Sequence, residues 1–106
     1  MVSSQQREAE SRIIETLRTV FDPEIPASIY DLGLIYEIRV DDPGVAHILM
    51  TLTNPNCPVA DQLLEEVREK VAKVEGIDEV DLKLTFVPPW DPDMLSDEIK
   101  LELGLL

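Results

Sequence analysis

Cys57 is the only thiol in the chain, and it stands in the run Asn54-Pro55-Asn56-Cys57-Pro58, between an apolar alternating segment and a helix-forming one. A thiol placed where a strand ends and a helix begins meets backbone N–H groups without internal partners and the positive end of the helix dipole. Both effects favour a thiolate. Pro58 suits the first helical position, whose N–H would go unused in any case. Thr51, Thr53, Asn54 and Asn56 supply hydroxyl and amide groups that could hydrogen-bond the sulfur or its cargo. The competing reading of Cys57 is a small apolar side chain that only fills space.

The residue inventory narrows what a thiolate here could do. A cysteine hydrolase needs a base within hydrogen-bond reach and a third group to orient it. The only histidine, His47, lies ten residues upstream and near a turn. Strand geometry places it roughly 20 Å from the cysteine end, so it reads as a solvent-face residue. Dithiol redox chemistry needs a second cysteine, which the chain lacks. A centre that takes four thiolates cannot be closed by one. Any metal held by Cys57 is therefore shared transiently, with a second copy in a homodimer or with another protein.

Two further groups of residues could carry function. Asp22, Glu24 and Asp31 place carboxylates in a proline-containing loop, and Asp91 and Asp93 flank Trp90. Solvated turns and helix ends use the same residue types, so the composition leaves capping and catalysis both open. Pro88-Pro89-Trp90 is either a rigid lid, an aromatic anchor for a partner, or a plug for one end of the core.

Acidic residues outnumber basic ones 22 to 9, for a formal charge of −13. Phosphate binding depends on lysine and arginine, so nucleic acid and anionic membranes are poor partners. No apolar run approaches the ~20 residues that span a bilayer. The N-terminus lacks a basic end followed by an apolar stretch, and a single cysteine forbids an internal disulfide. A cytoplasmic location is the expectation.

The elements that must position Cys57 follow from periodicity. Residues 7 to 21 read as an amphipathic helix with Ala9, Ile13, Leu17 and Val20 on its stripe and Ile14 and Phe21 beside it, stopped at Asp22-Pro23. From Leu34 to Asp41 the period changes to two, with Leu34, Tyr36, Ile38 and Val40 inward and Ile35, Glu37, Arg39 and Asp41 outward. Asp42-Pro43-Gly44 turns the chain, and Val45 to Thr53 returns as the second strand of a hairpin. A helix from Pro58 to about Val74 buries Val59, Leu63, Val67, Val71 and Val74, flanked by Leu64. A third strand turns Val80, Leu82, Leu84 and Phe86 inward. A last short helix, capped by Ser96 and closed by Gly104, contains Ile99 and Leu103. The result is α+β, order α-β-β-α-β-α, a two-layer sandwich whose three-stranded sheet carries helices on one face. Length allows a single domain, residues 1–106, with its core at about 8–104. Ile35, Val45, Leu49 and Val87 are scattered over the open face, which a second copy could cover.

Asp22-Pro23-Glu24, Asp31-Leu32-Gly33-Leu34-Ile35-Tyr36, Thr51-Leu52-Thr53 with Cys57-Pro58, and Pro88-Pro89-Trp90 with Met94-Leu95-Ser96 occur in one order. In these blocks the chain resembles the SufT/PaaD-type iron–sulfur cluster assembly domain over roughly residues 8 to 104. The resemblance implies a non-enzymatic accessory factor in maturation of iron–sulfur proteins, working with Suf-type assembly proteins and apo iron–sulfur clients. It maps the family's reactive cysteine, a candidate ligand for iron or a transient iron–sulfur cluster, onto Cys57. It maps the family's acidic loop onto Asp22, Glu24 and Asp31. PaaD-type relatives serve a phenylacetate-degrading oxygenase, so a non-catalytic adaptor whose Cys57 binds no metal is the alternative.

Overall fold

Two periodicities in the sequence become two layers in space. The computed structural model describes residues 4–22, 25–41, 44–53 and 60–104. In chain order these form α1 (Ser4–Leu17), β1 (Ile35–Asp41), β2 (Val45–Met50), α2 (Ala60–Ala72), β3 (Glu79–Leu84), a short 3-10 turn (Pro92–Met94) and α3 (Asp97–Glu102). The order is the expected α-β-β-α-β-α. β2 lies at the centre of the sheet, antiparallel to β1 and parallel to β3. Pattern alone did not identify the central strand.

The inward residues of β2, Ala46, Ile48 and Met50, are buried with the stripe of α1 (Ala9, Ile13, Leu17) and that of α2 (Leu63, Val67, Val71) in one cluster. Val20, Val74, Ile77 and Leu95 close its ends. At about 25 cal/mol per Å² of apolar surface removed from water, this cluster is the main source of stability. The opposite face of the sheet is charged. Glu37, Arg39 and Asp41 of β1, His47 of β2, and Asp81 and Lys83 of β3 make contacts of 2.8–3.9 Å across it. These pairs are exposed or half-buried and contribute little each.

Four expectations are revised. Helix α1 ends at Leu17, not at Phe21. The chain tightens there into a turn, with Thr19 N–H donating to Thr16 O and Val20 N–H to Leu17 O. Phe21 instead pairs its backbone with Ser28 and is 59% exposed. In β1 an irregularity between Ile35 and Glu37 shifts the register by one residue. Ile35 therefore lies opposite buried Met50 and packs on the core, not on the open face. In β3 Leu84 is 40% exposed, and Phe86, beyond the strand, is 38% exposed. Both were expected to be buried. The last helix starts at the Ser96 cap, whose hydroxyl accepts the Ile99 N–H, as the sequence indicates.

The hairpin turn is locked against the end of α2. Gly44 has φ 128°, its carbonyl accepts the Asp78 N–H at 2.8 Å, and a Cβ on it would lie 2.7 Å from Gly76 O. Gly76 has φ 93° but open space around its Cβ position. Gly76→Ala is therefore expected to cost only the backbone strain, about 1–2 kcal/mol. Gly44→Ala adds a clash with rigid backbone and is expected to cost about 2–4 kcal/mol. Urea unfolding of the two variants, compared at equal m-value, measures the difference.

Candidate functional site

The strand that leads to Cys57 stays extended past its last assigned residue. Thr51 N–H donates to Leu34 O at 2.8 Å, and Thr85 N–H donates to Met50 O at 2.9 Å. Both neighbours of β2 thus continue their pairing to this end. Met50, Thr51 and Leu52 are buried in succession, at 0%, 0% and 4% exposure. Successive side chains of an extended segment point to opposite faces, so both faces are covered here.

Asp22 fastens the proline-containing loop to this strand end. Its carboxylate accepts the Ile25 N–H at 2.9 Å and the Thr53 hydroxyl at 3.4 Å, and the residue is only 7% exposed. Its own N–H donates to Ala27 O at 3.1 Å. The loop then buries Ile29, Leu32 and Leu34, each at 0% exposure. A buried carboxylate is tolerated when hydrogen bonds replace its lost water, as the two donors do here.

Asp31 belongs to a different cluster. Its N–H donates to the buried Ser28 hydroxyl, and its carboxylate lies 3.8 Å from Arg18 Nε. The Arg18 guanidinium in turn sits over the Tyr30 ring at 5.1 Å. Trp90 is half-buried against the core, and its indole N–H donates to Leu32 O at 2.7 Å. Tyr36, placed by the β1 irregularity, donates its hydroxyl to Pro88 O at 2.8 Å. The segment after β3 is therefore tied to both the loop and β1. Glu24, Asn56, Cys57 and Pro58 lie outside the described residues.

Among the sequence-selected positions, the structure joins Asp22 with Thr53 and buries Thr51 beside them along the strand. It gives Asp31 and Trp90 other partners. Sequence reading missed the role of His47: Nε2 lies 2.8 Å from Asp41 Oδ2 and Nδ1 3.0 Å from Asp81 Oδ2, so one histidine links all three strands. Both ring nitrogens face carboxylates, which leaves neither for a hydrolase base. Only the alternation that puts residues 41, 47 and 81 on outward positions could have signalled it. Among the described residues no three His, Cys, Asp or Glu side chains are grouped to hold a metal ion, and no helix is long and apolar enough to cross a membrane.

A sandwich of this topology, with buried Asp22 tied to half-buried Thr53 at the strand end before a lone cysteine, can now be set beside known proteins. The family described as "Iron-sulfur cluster assembly protein" matches residues 10–82, and the chain belongs to it. It is 52% identical to an Fe–S protein maturation auxiliary factor of Porphyromonas gingivalis, over 93% of this chain and 94% of that protein. It is 38% identical to the Fe–S protein maturation auxiliary factor SufT of Staphylococcus aureus, over 81% of this chain and 98% of that one. A crystal structure of a DUF59 domain from Bacillus anthracis superposes with a TM-score of 0.86 at 31% identity, covering 95% of this chain and 96% of that chain.

One polar atom at this site finds no partner among the described residues. Thr51 Oγ1 is buried without a hydrogen bond to any of them, an arrangement that costs about 1–3 kcal/mol relative to a satisfied group. Thr51→Val removes the hydroxyl while keeping the shape. It is expected to raise stability by about 1 kcal/mol, seen as an increase of about 4–8 °C in the thermal midpoint. A lowered midpoint would mean that the hydroxyl is satisfied in solution.

Proposed function

We propose that the protein is a non-catalytic accessory factor of iron–sulfur protein maturation, in which Cys57 accepts or relays a labile cluster, or iron, on its way to an apoprotein. The observation that carries this reading is the family match over residues 10–82, together with near-complete coverage of relatives named as maturation auxiliary factors. Residues 1–106 act as one domain in the cytoplasm, with its core at about 8–104. The donors of the cargo are Suf-type assembly proteins and its acceptors are apo iron–sulfur clients.

The chemistry of the chain supports a relay over permanent storage. A cluster ordinarily takes four thiolates, and this chain supplies one. Asp22 is occupied by the Ile25 N–H and the Thr53 hydroxyl, and Asp31 is paired with Arg18. The remaining ligands of the cargo come from the donor or the client, and release then requires only one protein–metal bond to break. Asp22 and Thr53 fasten the loop to the strand end that precedes Cys57 in sequence.

Cys57→Ala tests the proposal. The variant is expected to fold with a loss of at most about 1–2 kcal/mol. It is expected to leave iron–sulfur enzyme activities unrestored in cells that lack the protein. Anaerobic titration of the purified chain with ferrous iron and sulfide is expected to develop thiolate–iron absorbance that the variant lacks. Full restoration by Cys57→Ala, with no iron binding by the native chain alone or with a Suf-type donor, would instead establish an adaptor of the PaaD kind.

A further inference from the structure

The two outer edges of the sheet differ. The β1 edge is interrupted: Gln6 Nε2 donates to Val40 O at 3.1 Å, and the irregularity between Ile35 and Glu37 breaks its register. β3 is regular, with six unbroken parallel pairs from Val45–Glu79 to Met50–Leu84. Glu79 N–H donates to Gly44 O and Thr85 N–H to Met50 O, so the odd-numbered residues of β3 turn their backbone groups toward β2. The backbone groups of Val80, Leu82 and Leu84 therefore face outward, and among the described residues nothing bonds to them. Leu84 and Phe86 at the end of this edge are 40% and 38% exposed. A regular, unpaired, partly apolar edge is a template for another strand.

The order of residues along β3 selects that strand. About Leu82 the sequence Val80-Asp81-Leu82-Lys83-Leu84 is self-complementary. In an antiparallel pair of two such strands, Leu82 meets Leu82, Val80 meets Leu84, and Asp81 meets Lys83. The first two pairings use the outward backbone groups and keep apolar side chains on the helical face. The third falls at the non-hydrogen-bonded position, where side chains approach most closely, and puts opposite charges together on the open face. Lysine alone at this edge would guard against pairing; Asp81, two residues before Lys83, turns the guard into a match.

We infer that β3 is the interface with a second copy of this chain, joined antiparallel about Leu82 into one six-stranded sheet. The arrangement is isologous, so it closes at two copies. Because β2 and β3 are parallel, the two strand ends that lead to Cys57 lie at opposite ends of the joined sheet. Such a dimer carries two separate thiol sites and does not bring the two cysteines to one cluster.

Charge reversal tests the pairing in the full chain. Sedimentation equilibrium at physiological ionic strength is expected to find a dimer for the native protein. Lys83→Asp places two aspartates opposite each other at both symmetric positions, and should weaken association by about tenfold or more. Asp81→Lys should do the same through opposed lysines. The double variant Asp81→Lys with Lys83→Asp restores opposite charges and is expected to recover the dimer. Circular dichroism checks that each variant is folded, and Lys83→Asp leaves the His47–Asp81 contact in place. A native monomer, single variants that associate as tightly as the native chain, or a double variant that stays as weak as the single ones would each overturn the proposal. The outcome is independent of iron binding by Cys57.

Discussion

The thiol end of the molecule depends on β2 being paired on both sides up to its last residue. A strand with one neighbour would fray at its terminus. Here Leu34 accepts from Thr51 on one side, while Met50 accepts from Thr85 on the other. Those two hydrogen bonds hold Met50, Thr51 and Leu52 extended and buried, and every residue between them and Cys57 starts from that fixed point. The mixed topology is what makes this possible, because an antiparallel hairpin and a parallel crossover reach the same end of the same strand from opposite sides.

The irregular segment between α1 and β1 contributes as much order as the regular elements do. It buries Ile29, Leu32 and Leu34 and satisfies its own backbone through Val20, Ala27 and Ser28. Asp22 connects it to Thr53, and Trp90 connects it to the segment after β3. Three parts of the chain that are distant in sequence thereby share one small volume. Within it the Asp22 carboxylate and the Ser28 hydroxyl each hold a backbone N–H, that of Ile25 and that of Asp31.

Periodicity made the helical stripes legible: Ala9, Ile13 and Leu17, and Leu63, Val67 and Val71, are buried as their spacing requires. It also gave the element order and the Ser96 cap. What it could not give has identifiable causes. A bulge adds one residue without any marker in composition, so Ile35 changed face. Alternation tells which way Leu84 points but not whether a helix reaches far enough to cover it. The loop core of Ile29, Leu32 and Leu34 has no period to read. At the site, the types Thr51, Thr53 and Asp22 were legible from the sequence. That Thr53 bonds to Asp22, while the Thr51 hydroxyl bonds to none of the described residues, is a property of distances across 31 residues of chain.

The ties from Tyr36 to Pro88 and from Trp90 to Leu32 span 52 and 58 residues. A chain that emerges from the ribosome N-terminus first can close its hairpin early, since β1 and β2 are neighbours in sequence. It cannot seat Trp90 on Leu32 until residue 90 has been made, 58 residues later. The loop between α1 and β1 is therefore sealed on this side only once Trp90 is available to Leu32.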